Sequence, residues 1–194
     1  MKAQSKFNVE KIVVAAILTA LVVVLQLLGG FIRFGPFAIS LVLLPIVIGA
    51  AVCGTGVSTW LGFVFSVVVM ITDTAAFWVI SPVGTLVTVI VKGTAAGLAA
   101  GLVYKLLERV NRYVAVIVAA VVCPIVNSGI FALGCFVFFF ETVGEWGAAM
   151  GFANAFEYVI LGMIGLNFLV EMAINVVLSP VAVRIINIKN KGNK

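Results

Sequence analysis

YVILGMIGLNFLVEMAINVVLSP, residues Tyr158 to Pro180, is the stretch on which the fold turns. It is apolar over about 20 residues, the length an α-helix needs to cross a bilayer. Into this run the chain places Asn167, Glu171, Asn175 and Ser179, each four positions after the last. Residues four apart on a helix lie one above another, so the segment carries a single polar stripe containing one acid. An ionisable group at membrane depth costs roughly 2.5–3.5 kcal/mol on insertion scales and marks a functional site by default, with a partner to be found. Lys92 is the candidate of opposite sign.

The rest of the chain matches this segment. Of its 194 residues, 64% are hydrophobic and 10% charged, with a mean hydropathy of +1.31. A soluble domain is nearer half apolar and a quarter charged. Apolar runs of this length argue for helices rather than barrel strands, and helices satisfy every backbone group within lipid. The expectation is an all-α integral membrane protein, a single domain over residues 1–194, with six transmembrane helices at about 12–28, 38–52, 57–71, 83–107, 113–140 and 158–180. Gly35-Pro36 and Gly54-Thr55-Gly56 mark turns. Pro45 predicts a kink, and Pro124 followed by Asn127-Ser128-Gly129 predicts a break in the fifth helix.

Six spans put both termini on one side. Ten of the twelve basic residues fall at the N-terminus, in the loop around Lys105, Arg109 and Arg112, or in the tail. The opposite loops carry Arg33 against Asp73, Glu141, Glu145 and Glu157. The positive-inside rule then makes both termini cytoplasmic. The net charge of +5 is therefore a topology signal and not a nucleic-acid one. The chain has no histidine, which removes most transition-metal sites and His-based catalysis. Cys53, Cys123 and Cys135 sit in or beside apolar stretches without CxxC spacing and read as small buried hydrophobes. No metal, cofactor or catalytic residue is expected.

Depth brings the polar residues together. At 1.5 Å per residue, Lys92 lies roughly 15 Å below the outer end of the fourth helix, Asn167 about 14 Å and Glu171 about 20 Å below that of the sixth, and Asn127 about 20 Å below that of the fifth. Polar groups at one depth turn inward and find one another. Two readings stay open: a binding pocket open to the outside, or a Lys92–Glu171 ion pair with asparagine partners that fixes helix packing. A proton or ion relay is a third. Trp78 and Trp146, in the outer loops, suit either a lid that stacks on a flat ligand or ordinary interfacial anchors. Gly93, Gly97 and Gly101 form a small-residue face for close helix approach.

The order of these features resembles the substrate-binding S components of energy-coupling-factor (ECF) vitamin transporters. The likeness rests on the six spans and on AAILTAL in helix one. It rests further on FGPFAISLVLLPIVIGAAVCG leading through helix two, GTLVTVIVKGTAAGLAAGLVY in helix four, and the stripe ending in Ser179-Pro180. The resemblance implies a bacterial plasma-membrane protein that binds a vitamin-class micronutrient from outside and is not itself an enzyme. It implies docking, through Ala16 and Ala20, on a transmembrane coupling subunit carried by two cytoplasmic ATPases. Lys92, Asn127, Asn167 and Glu171, with Trp78 and Trp146 above them, would be substrate-binding positions. The chain has no G-x-x-x-x-G-K-[ST] phosphate loop, so ATP hydrolysis belongs to other chains.

Lys92 would suit a carboxylate or carbonyl and the asparagines an amide edge, and the helix-two pattern leans to a small polar vitamin such as pantothenate. The alternative from another class is a six-span scaffold of the cell-shape machinery with no ligand. An intramembrane enzyme using Glu171 as base lacks a nucleophile or metal set. A stand-alone transporter would show internal inverted repeats, and none is evident.

Overall fold

The computed structural model describes residues 2–29, 33–34, 37–38 and 41–192. The Gly35-Pro36 turn lies outside them. In chain order the elements are α1 (Lys2–Gly29), two paired two-residue strands β1 (Arg33–Phe34) and β2 (Phe37–Ala38), α2 (Leu43–Cys53), α3 (Thr55–Thr72), α4 (Ala75–Ile80), α5 (Pro82–Leu107), α6 (Arg112–Phe138), α7 (Phe140–Ala149) and α8 (Ala155–Glu157). A π-helical segment (Tyr158–Gly165) then runs directly into α9 (Leu166–Gly192).

Local chemistry starts these helices. Ser81 caps α5, its side chain accepting from Gly84 N at 3.2 Å, with Pro82 at the first helical position. Asn111 caps α6 by accepting from Tyr113 N at 2.8 Å and Val114 N at 3.3 Å. Before the last span, Asn154 accepts from Glu157 N while the Glu157 carboxylate accepts from Ala153 N, both at 2.8 Å. That reciprocal pair is a variant of the capping box. Pro124 lies inside α6, which nonetheless runs unbroken through Asn127, Ser128 and Gly129.

Among the described residues, five helical stretches are long and apolar enough to cross a membrane: Val9–Gly29, Thr55–Thr72, Pro82–Leu107, Arg112–Phe138 and Ala155–Arg184. The sixth expected span behaves differently. α2 has 11 residues, about 16 Å of helix. It is apolar all round, and eight of its residues are buried. It packs on α1, α3, α5, α6 and α9, so it forms the centre of the bundle rather than part of its wall. Gly54, at φ +94° between α2 and α3, takes a left-handed conformation that a side chain would strain.

The glycine face of α5 is used within the chain. Gly93, Gly97 and Gly101 lie against Gly62, Ser66, Ser58 and Thr55 of α3. A Cβ on Gly62 would collide with the carbonyl oxygen of Gly93, and one on Gly97 with that of Ser58. Bare backbone is what lets these helices touch.

The interior separates into two apolar clusters. One gathers Leu43, Ile46, Leu61, Phe65, Ala96 and Val116 around α2. The other gathers Phe77, Phe139, Val143, Tyr158, Val159 and Met163 beneath α4 and α7. The outside is apolar as well: Ile71, Val79, Leu133, Val137 and Val177 are all exposed. Polar groups such as Gln26, Ser58, Thr88, Asn127 and Asn175 are buried. A greasy exterior around a partly polar interior is the distribution lipid imposes.

Candidate functional site

A cavity of about 90 Å³ lies between the two clusters, bordered by Val69 and Val89 on one side and by Phe77, Phe139 and Met163 on the other. It brings together Lys92 from α5, Asn127 from α6, and Asn167 and Glu171 from α9. The remainder of the stripe, Asn175 and Ser179, is buried further along α9 and does not border the cavity. The Ser179 hydroxyl donates to the Val176 carbonyl at 2.8 Å.

The last helix presents this stripe through a change of winding. From Tyr158 to Gly165 the chain is π-helical, and Tyr158 and Met163, five apart, are both buried. A π segment shifts the facing direction by about one residue relative to continuous α-helix. Asn167, Glu171, Asn175 and Ser179 then follow at α-helical spacing, each 9% exposed or less.

Several polar residues at the cavity were not among the sequence candidates, Gln26 and Asp73 chief among them. Gln26, on α1, is 1% exposed, and its Nε2 donates to Asp73 Oδ2 at 2.9 Å. Asp73 caps the C-terminal end of α3 and also accepts from Thr72 Oγ1 at 2.7 Å. The sequence signal for Gln26 is plain in retrospect: it is a lone polar residue in LVVVLQLLG. Asp73 reads as an exposed loop acid until α1 is placed beside it.

Lys92 points into an aromatic and acidic setting. Its ammonium lies 5.1 Å from the centre of the Phe131 ring and 5.9 Å from that of Phe65. Those distances are within cation–π range. The carboxylates of Glu171 and Asp73 border the same cavity.

Trp78 and Trp146 do not border the cavity; Phe77 does. It lies on α4, next to Trp78, and is 6% exposed. It meets Phe131 at 6.0 Å, Phe139 at 5.0 Å and Trp146 at 5.6 Å, all edge-on. Trp146 therefore stands behind Phe77, while Trp78 is half-buried beside it. On α1, Ala16 and Ala20 are exposed on the same side as Ile12, Val13 and Ile17. Thr19 is held between α1 and α3, donating to the Ala15 carbonyl at 2.8 Å and accepting from Trp60 Nε1 at 3.3 Å.

Several lipid-length helices around a partly polar cavity define a multi-pass membrane protein. The chain matches the family described as ECF transporter, substrate-specific component, over residues 10–183, and it belongs to that family. No curated protein and no solved structure matches it. It is thus a substrate-binding subunit of a bacterial ECF importer in the plasma membrane, a transport component that associates with an ECF module.

Proposed function

We propose that this chain captures a small, polar, vitamin-class molecule from outside the cell in the cavity between α1, α3, α5, α6 and α9. One observation carries this reading. Four side chains on four helices, Gln26, Thr88, Asn127 and Asn167, border that cavity, and each has a buried oxygen with no hydrogen-bond partner among the described residues. Buried polar groups left unpaired in this way are unfavourable, and a ligand's polar groups would pair them. That favours a ligand site over a ligand-free scaffold.

In this reading Lys92, Asn127, Asn167 and Glu171 contact the ligand. Phe77 closes the cavity, with Trp78 and Trp146 supporting it. The chain acts as one membrane domain with both termini cytoplasmic. The exposed Ala16–Ala20 face of α1 docks on the coupling subunit, and two cytoplasmic ATPases drive the cycle. Pantothenate is the vitamin that the helix-two pattern suggests.

The test is to purify the chain from native membranes and identify any retained small molecule by mass spectrometry, followed by binding across a vitamin panel that includes pantothenate. A retained micronutrient whose binding weakens in Lys92→Ala is the expected result. A protein that carries nothing and binds nothing across the panel overturns the reading.

A further inference from the structure

Resting on the reading of the cavity as a ligand site, we infer that Gln26 is a specificity-determining residue of that site. Its side-chain oxygen accepts a hydrogen bond from an N–H or O–H group of the bound micronutrient. Asp73 is the positioning residue that keeps this oxygen, and not the amide nitrogen, facing the substrate.

The inference starts from the buried face of α1. Leu18, Val22 and Gln26 follow one another at four-residue spacing, and all are buried. Leu18 and Val22 belong to the apolar cluster around α2. At the third position of this face the chain places an amide instead of another aliphatic side chain. Burying an amide is unfavourable unless its polar atoms are met. Among the described residues, Gln26 is also the one part of α1 that borders the cavity.

The two ends of this amide are told apart by their surroundings. Nε2 donates to Asp73 Oδ2 at 2.9 Å. A carboxylate accepts and does not donate, so the nitrogen is the end that must face it. Thr72 Oγ1 donates to the same Oδ2 at 2.7 Å. Other contacts of Asp73 do not alter this, since each leaves the carboxylate an acceptor towards Gln26. Oε1 is thereby fixed on the side away from Asp73, buried and without a partner among the described residues. The tie between α1 and α3 uses the nitrogen alone. An N–H or O–H on the cavity's occupant satisfies the oxygen.

Orientation is what gives Gln26 its selectivity. No hydrogen bond among the described residues sets the direction of the Asn127 or Asn167 amide. Each can turn either end to an occupant and so tolerates a donor or an acceptor. Gln26 cannot turn without setting its oxygen against the Asp73 carboxylate. It therefore favours a donor and rejects an acceptor at its position. It also meets another side of the occupant: α1 packs on α2 and α3, whereas α6 and α9, which carry the asparagines, pack on each other. Pantothenate, which has hydroxyl groups and an amide N–H, meets the requirement.

The experiment is a double-mutant cycle between protein and probe, run on the purified full-length chain. The probe is pantothenate or, where wild type holds another molecule more tightly or retains one from native membranes, that molecule. Derivatives remove one donor at a time, a hydroxyl becoming hydrogen or an amide N–H an ester oxygen. For one derivative, wild type should lose about tenfold in affinity. Gln26→Leu should bind the parent probe about tenfold more weakly than wild type and show no further loss, within about twofold, for that derivative. Asp73→Asn offers Gln26 a donor as well as an acceptor, which releases the amide, so the penalty on that derivative should shrink to about threefold or less. A merely structural tie lowers the melting temperature and leaves these ratios as they are. Equal penalties in wild type and Gln26→Leu for every derivative overturn the inference, and the micronutrient reading stands. Where Gln26→Leu gives no monodisperse protein, Asp73→Asn decides, and an unchanged penalty there overturns it. If no vitamin of the panel binds and no small molecule is retained from native membranes, both fall.

Discussion

Gln26 and Asp73, 47 residues apart in sequence, are joined by a 2.9 Å hydrogen bond that ties the end of α1 to the end of α3 beside the cavity. In a low-dielectric interior a bond to a carboxylate is stronger than a neutral one, and losing it is costly. Gln26→Leu should therefore destabilise the protein by about 1–3 kcal/mol. Thermal melting in detergent reads this directly, and Asp73→Asn, which keeps an acceptor, should lose less. Equal losses from the two variants would mean that the bond contributes nothing specific.

Lys92 and Glu171 allow packing and binding to be separated. Both border the cavity with opposite charge; leaving one such charge uncompensated in the interior costs up to about 3–5 kcal/mol, whereas replacing both with apolar residues is often tolerated. Lys92→Met and Glu171→Leu should each lower the melting temperature, and the double variant should recover much of the loss. Ligand binding should stay impaired in the double variant. Recovery of both stability and binding would reduce the pair to a packing device.

Between α3 and α5 the prediction concerns space. Gly97→Leu should prevent correct folding, because even a methyl group there would collide with the Ser58 carbonyl. Gly129→Ala, on α6, meets nothing within 4 Å. It should be neutral or stabilise by up to about 1 kcal/mol through helix propensity. The recovery of monodisperse protein on gel filtration compares the two.

Docking has its own variants. Ala16→Trp and Ala20→Trp alter exposed positions on α1 that do not border the cavity. Each should abolish co-purification with a coupling subunit and leave ligand affinity within about twofold, since surface changes away from a site rarely propagate. Normal assembly of both would move the docking face elsewhere.

Much of this architecture can be read from residue order. The stripe from Asn167 to Ser179 follows from four-residue spacing, and counting along the helices places Lys92, Asn127 and Glu171 at one depth. What spacing does not carry is contact between distant segments. Gln26 meets Asp73 only because α1 lies against α3. α2 reads as a span from its apolarity, but its 11-residue length and its place at the centre of the bundle depend on contacts that spacing does not carry. Phe77 rather than Trp78 reaches the cavity because α4 is a helix, which turns adjacent residues about 100° apart. The π winding has no clear signature in the residues that form it.

The backbone contact along Gly62, Gly93 and Gly97 has a mechanical meaning. Two helices separated by a layer of side chains can slide by changing rotamers; two that touch through their peptide groups have no such play. α3 and α5 should move as one stiff staff throughout the transport cycle. Spin labels placed one on each should hold a constant separation with and without ligand. The give should then come from the short helices α4 and α7, which have no comparable glycine seam among the described residues.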